Sequence, residues 1–419
     1  MKLSLCMIVK NEVNNLPRCL HSVKDVVDEM IVLDTGSTDE TVTIAQAFGA
    51  NVQYFAWCND FSAARNESLQ YANGDWILVL DADEVLATAN VPMMQQAIQR
   101  DNALVINLVR QEIGAVQSPY SLVSRLFRNH PDIYFSRPYH AIVDDSVTCL
   151  LQHEPHWQIL NLPEVAILHY GYEPGAIASR NKLQKARTAM EGFLVNHPDD
   201  PYVCSKLGAL YVQMGDFTQG IELLNRGLHS INPPHPPSPI PSLPSLIPHP
   251  SSLILANAPM LYELHYHLGV AYSRFQQVVQ AEQHYRVAIQ QPILDCLKLG
   301  AYNNLGSLLK VNGDLINAKA MYEACLAIDP AFAIGYYNLG MTLKAMGQMT
   351  KAIDHYQTAI DLNPHYAEAY QNLGVVLLKL GNVAESLQAF RQAIVLHKTA
   401  NPQEAERLQR SLKEMGFQV

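Results

Sequence analysis

Three polar clusters in the first 84 residues carry groups able to hold a charged ligand: Lys10-Asn11-Glu12, Asp34-Thr35-Gly36-Ser37-Thr38-Asp39 and Asp81-Ala82-Asp83-Glu84. The third is the most informative. Two carboxylates spaced i, i+2 directly after an apolar run can splay, one toward a ligand and the other toward a hard cation. Magnesium and manganese take oxygen ligands and often share them with substrate phosphates. The sequence has neither a GxxxxGK[ST] loop nor a GxGxxG after its first apolar run. A phosphate ligand here would therefore be held through a metal rather than by a backbone nest. Asp, Gly, Ser and Thr also build ordinary turns, and Thr38 or Asp39 could simply cap the next helix. The convergence of three clusters is what argues for one shared polar site.

Each cluster follows an element that can position it. Apolar runs at residues 3–9, 30–33, 52–55 and 76–80 are short and rich in Val, Ile and aromatics, with helical patterns between them at 13–26, 39–48 and 61–72. This alternation predicts an α/β domain with a mostly parallel sheet covered on both faces. In such a sheet ligands bind outside the carboxyl ends of the strands, where the clusters fall. Beyond Asp83 the pattern is less regular, with further strands expected at 103–109, 122–127 and 165–169.

The second half of the chain repeats. Asn304-Leu305-Gly306 returns as Asn338-Leu339-Gly340 and Asn372-Leu373-Gly374, a period of 34 residues. Tyr302, Tyr336 and Tyr370 precede the Leu, and Ala318, Ala352 and Ser386 each stand four before Tyr322, Tyr356 and Phe390. Small residues let paired helices approach while rings fill the gaps, and the pattern resembles the tetratricopeptide repeat, an all-α solenoid. Weaker units surround Gly208 and Gly269. Between them lie nine prolines from Pro233 to Pro250, a segment expected to be polyproline-like and inserted rather than folded.

The stretches MIVKNE, IVLDTGSTDET and FSAARNESLQYANGDWILVLDADE resemble, in order and spacing, a family 2 glycosyltransferase of the GT-A fold with repeats behind its catalytic domain. The likeness continues more loosely through Arg125-Leu126-Phe127-Arg128-Asn129, Tyr139-His140 and Leu168-His169-Tyr170-Gly171-Tyr172. It implies a GT-A-like, Rossmann-like domain over residues 1–190. A first degenerate repeat would follow at 200–230, a Pro-rich insert at 232–257, four repeats at 258–402 and a capping helix at 403–419.

The resemblance also implies roles. Asp34 would contact the base or ribose of a nucleotide-sugar donor, a UDP-sugar, with Glu12 and the backbone near Val9 lining that pocket. Arg65 would lie near the base or diphosphate, or else form an ion pair on its helix. Asp81 would face the ribose, and Asp83 would hold a Mn2+ or Mg2+ ion bridging the two phosphates. His169 would complete the metal site, or else cap a strand end. The implied reaction is one displacement that inverts the anomeric centre, with a carboxylate base deprotonating the acceptor. Relatives often read His-Glu where this chain has Tyr139-His140-Ala141, which leaves Asp144 and Asp145 as weak substitutes. A thiol acceptor would need less help from a base than a hydroxyl, its pKa being lower. The repeats would dock a peptide or protein acceptor or partner, or mediate self-association into a homo-oligomer. The alternative is a non-catalytic adaptor carrying a degenerate transferase domain.

Composition bounds these readings. The formal charge is −10, from 29 Lys+Arg against 39 Asp+Glu, and neither half has the basic excess a nucleic-acid footprint needs. The seven cysteines are scattered with no CxxC, which fits a reducing, cytoplasmic setting better than a disulfide framework. No window reaches 18 uninterrupted apolar residues, so no membrane span is expected.

Overall fold

The computed structural model describes residues 1–115, 118–171, 180–231 and 250–417. The chain divides into two compact units, Met1–Pro239 and Ile240–Val419.

The first unit is built on an eight-stranded sheet. Its strands are β1 (Leu3–Val9), β2 (Glu29–Asp34), β3 (Asn51–Tyr54), β4 (Trp76–Val79), β5 (Glu84–Leu86), β6 (Ala103–Glu112), β7 (Tyr120–Arg128) and β8 (Gln158–His169), in the order β3-β2-β1-β4-β7-β6-β8-β5. The strands β3, β2, β1 and β4 run parallel, as the alternation predicts. Beyond β4 the sheet becomes mixed: β7 is antiparallel to β4 and β6, β8 is parallel to β6, and β5 is antiparallel to β8. β1 and β4 are almost continuously buried, as expected of strands covered on both faces.

Helices α1 (Leu16–Val23), α2 (Thr41–Ala47) and α3 (Phe61–Leu69) link the parallel strands, and α4 (Val91–Ile98) and α5 (Asp144–His153) follow later. In α1, Leu16, Cys19, Leu20 and Val23 form one buried stripe at helical spacing, and Pro17 fits the first turn. Asp60 starts α3 by accepting hydrogen bonds from the Ser62 and Ala63 N–H groups at 2.8 and 3.1 Å.

Three more helices complete this unit: α6 (Arg180–Asn196), α7 (Pro201–Met214) and α8 (Phe217–Ile231). The buried Arg137 guanidinium reaches Asp145 at 2.5 Å and Asp200 at 2.7 Å, while Asp200 accepts from the Val203 N–H at the start of α7. Met190, Leu194, Val203 and Leu207 share a cluster with Tyr139 and Phe193. The first repeat-like pair is therefore joined to the sheet, and a break near residue 190–200 does not separate two units.

The second unit consists of α9 (Pro250–Arg274), α10 (Val278–Gln290), α11 (Leu299–Val311), α12 (Leu315–Ile328), α13 (Ala333–Ala345), α14 (Met349–Leu362), α15 (Ala367–Lys379), α16 (Val383–Ala400) and α17 (Pro402–Glu414). The expected Pro-rich insert is shorter than its sequence suggests. Residues 232–249 lie outside the described residues, but the last eight positions belong to α9, where Pro250 stands in the first turn and lacks nothing a helix start needs.

In each pair a ring of the second helix seats on a glycine of the first. A Cβ on Gly269, Gly306, Gly340 or Gly374 would meet Tyr285, Tyr322, Tyr356 or Phe390 at 2.6, 2.8, 2.8 and 2.9 Å. The pair α7–α8 puts Leu224 against Gly208 instead. Gly340→Ala should therefore destabilise the array. Overpacking against the fully buried Tyr356 costs about 1–3 kcal/mol, more than the about 1 kcal/mol that alanine gains in helix propensity. A lower helical melting temperature by circular dichroism checks this; an unchanged or higher one means the ring is free to move aside.

Candidate functional site

The first two polar clusters are zipped together where β1 and β2 end. Thr35 donates from both its N–H and its Oγ1 to the Val9 carbonyl at 2.9 and 3.0 Å. Asn11, at φ 58°, donates its N–H to Ser37 Oγ and accepts from the Thr38 N–H at 2.8 Å. The Glu12 N–H donates to Thr41 Oγ1 at 2.8 Å, and the Glu12 carboxylate accepts from Asn15. Asp34 is buried and accepts from the Gly36 and Ser37 N–H groups at 3.0 Å. It thus shapes the loop of the second cluster, whose Gly36 sits at φ 101°. Asp39 accepts from the N–H and Oγ1 of Thr41, the first residue of α2, whose N-cap position is Glu40.

The two carboxylates of the third cluster have different surroundings. Asp81 lies between two arginines: Oδ1 accepts from Arg65 at 2.7 Å and Oδ2 from Arg125 at 2.9 Å. Burial alone would raise the Asp81 pKa, but the charges of Arg125 and Arg65 outweigh it and hold the carboxyl well below the usual range. Arg65 is 7% exposed. It forms an ion pair as one sequence reading allowed, but a buried one across the site rather than one on its own helix.

Asp83 instead faces β8. Its Oδ2 is 3.3 Å from Nε2 of His169, whose Nδ1 lies 2.5 Å from Oε2 of Glu112. Burial opposes charging of this ring, yet the hydrogen bonds to Asp83 and Glu112 prevail and push its pKa up to about 9. Behind it the chain of contacts continues. Glu112 Oε1 accepts from Arg110 and from Ser121 Oγ, Arg110 donates to Glu84 Oε1 at 2.8 Å, and Glu84 Oε2 accepts the Asp81 N–H at 2.8 Å. The sheet register makes this possible, because His169 pairs with Glu84 of β5 on one side and Glu112 of β6 on the other.

A divalent cation fits Asp83 and His169. Their donor atoms are close enough to ligate one ion at about 2.1 Å each, and Glu112 on the far ring nitrogen is the usual partner of a metal-bound histidine. Among the described residues no third His, Cys, Asp or Glu completes a metal-binding group. The other positions would fall to ligand oxygens and water.

The weak base candidates are both placed on the first turn of α5. Asp145 is held by Arg137 and by Ser136, whereas solvent-exposed Asp144 accepts from Ser124 Oγ at 3.0 Å. Residues 136–142 form a closed loop, pinned by the Ser136–Ile142 bridge, with Arg137 and His140 at φ 74° and 53°. In the repeats the recurring asparagines are taken up between neighbours: Asn338 donates to Asn303 at 2.9 Å and Asn372 to the Tyr337 hydroxyl at 3.1 Å. Asn372 also accepts from Lys344 at 2.6 Å.

Sequence reasoning missed Arg110 and Glu112, gave Glu84 no role beyond its place in the third cluster, and named Arg125 and Gly171 only within a loose likeness. Arg110 and Glu112 stand at the end of β6, past its apolar run, where polar residues are ordinary and no local signal marks them.

A sheet whose parallel strands end in polar loops, one of them Asp81-Ala82-Asp83, precedes a run of paired helices. The profile of glycosyl transferase family 2 matches residues 4–160, and four tetratricopeptide repeat profiles match within 299–400. A TPR repeat-containing protein of Synechococcus elongatus is 43% identical over 75% of this chain and 72% of its own length. The glycosyltransferase SunS of a Bacillus subtilis prophage is 32% identical over 46% of each chain. An uncharacterized glycosyltransferase of Rickettsia felis is 42% identical over 20% of this chain and 30% of its own. The chain belongs to glycosyl transferase family 2 and carries tetratricopeptide repeats behind that domain. Among the described residues no helix is long and apolar enough to cross a membrane.

Proposed function

We propose that this glycosyltransferase moves a sugar from a nucleoside diphosphate donor, a UDP-sugar, to a peptide or protein acceptor recruited by the repeats, with a divalent cation held by Asp83 and His169. The observation that carries the reading is the division of labour in Asp81-Ala82-Asp83. Asp81 is locked between Arg65 and Arg125, and Asp83 is left facing His169. A bound cation supplies Lewis-acid stabilisation of the leaving diphosphate. Arg65 and Arg125, fixed by Asp81, hold positive charge beside the place where that negative charge develops. The zipped loops of the first two clusters, including Glu12 and Asp34, form the wall for the nucleoside. The chain offers Asp144 as the carboxylate nearest to free among the base candidates, since Asp145 is committed to Arg137.

Docking by the repeats is supported by the tetratricopeptide repeat matches over residues 299–400. On α11 and α13, burial and then the neighbouring lysine lower the pKa of Lys310 and Lys344. Asn338 and Asn372 bond neighbouring residues, so a chain bound there would not meet free asparagine amides. Truncation after Ile231 tests the proposal while keeping the Arg137–Asp200 contact that a cut at residue 199 would destroy. The truncated protein should still hydrolyse a UDP-sugar but lose labelled-sugar transfer to protein in a cell extract. Transfer retained at the full rate would remove the repeats from acceptor choice. Loss of oligomer mass alone would assign them to self-association.

A further inference from the structure

His169 is held by a chain of largely buried side chains that starts in the Asp81-Ala82-Asp83 loop itself and returns to it through β6 and β8. The backbone of Asp81 donates to Glu84, whose side chain is fully buried; Glu84 binds Arg110, Arg110 binds Glu112, and Glu112 binds His169. Glu112 is 7% exposed, and each of its oxygens is engaged: Oε1 by Arg110 and Ser121, Oε2 by the histidine ring. An imidazole pinned through Nδ1 to a fixed carboxylate has its ring orientation set. Here Nε2 is turned to Asp83 at 3.3 Å.

The approach to the pair is shaped as well. A Cβ on Gly171 would lie 2.6 Å from both Cε1 and Nε2 of His169 and 3.4 Å from Asp83 Oδ2. Any side chain there would sit on the two donor atoms. Gly171 is not at a left-handed backbone position, so its use here is space rather than backbone freedom.

We propose that Glu112 is the positioning residue of the cation site, holding His169 so that Nε2 and Asp83 face one ion, and that Gly171 keeps the approach to them clear. The proposal rests on the cation reading above. It adds that affinity is set by a buried carboxylate on β6 and a glycine after β8, neither of which ligates. A purely structural role for the Glu84–Arg110–Glu112 chain would leave cation affinity untouched as long as the protein folds.

The test is a Mn2+ titration of the full chain with and without UDP, read as the loss of the free-ion paramagnetic resonance signal, so that no turnover is needed. Wild type should bind, Asp83→Asn should not, and Glu112→Ala should weaken binding by about 10–100-fold. Glu112→Gln keeps the shape and an acceptor oxygen but not the charge, and should fall between them. Gly171→Ala leaves Glu84, Arg110 and Glu112 in place while pressing on the His169 ring, and should also weaken binding at least 10-fold; it decides the matter if Glu112→Ala fails to fold. Wild-type affinity in both Glu112→Gln and Gly171→Ala, with binding lost in Asp83→Asn, overturns this proposal and leaves the cation reading standing. Absence of Mn2+ binding by the wild type under both conditions overturns the two together.

Discussion

Asp81→Asn should unfold the first unit at markedly lower denaturant. The substitution removes the anion shared by Arg65 and Arg125, both largely buried, and leaves two guanidinium groups without it. Removing one partner of a fully buried pair costs about 3–5 kcal/mol. Asp81 is a third exposed, so a loss on the order of 2–3 kcal/mol is expected. Trp57, Trp76 and Trp157 all lie in the first unit, so intrinsic fluorescence follows its unfolding without interference from the repeats. With a slope of about 2–3 kcal/mol per M in urea, the midpoint should fall by about 1 M. A midpoint within about 0.2 M of wild type would mean that the arginines find other partners and that Asp81 is free to serve the ligand.

Two residues on, Asp83→Asn should do the opposite. Among the described residues its carboxylate contacts His169 at 3.3 Å, and it is a third exposed. The urea midpoint should scarcely move. Sugar transfer and donor hydrolysis should drop by about 10²–10³-fold, the equivalent of about 3–4 kcal/mol of leaving-group stabilisation. Equal loss of stability in both variants would erase the distinction between the two carboxylates. Activity retained in Asp83→Asn would remove it from cation binding.

How far the sequence carries depends on whether a feature is local. The parallel strands were legible because each is a short apolar run followed by a helix; β1 matches its expected limits at both ends. The repeats were legible because Gly306, Gly340 and Gly374 must each accept a ring from the next helix, which fixes residue types at a set spacing. β5 was not legible, since three residues give no periodicity, yet it carries Glu84. The turn to a mixed sheet was hidden because β6, β7 and β8 find one another across loops of no fixed length.

The site shows the same division. Asp81 and Asp83 announce themselves as a pair, but their surroundings differ through Arg65 on α3, Arg125 on β7 and His169 on β8, which only the folded sheet brings together. The sequence likewise marks Asn338 and Asn372 as recurrent without revealing that each bonds a neighbouring repeat.

The central claim, that a nucleoside diphosphate sugar binds through a cation at Asp83, meets its most direct test in the tryptophan-reported melting of the wild-type chain. The melt should be run against UDP-glucose, UDP-N-acetylglucosamine and GDP-mannose, each with and without Mn2+. A donor present at about 100 times its dissociation constant adds about 2.7 kcal/mol to the folded state. At least one UDP-sugar should raise the melting temperature with Mn2+ and leave it unchanged in EDTA. No shift with any donor, or the same shift with and without the metal, would contradict the account.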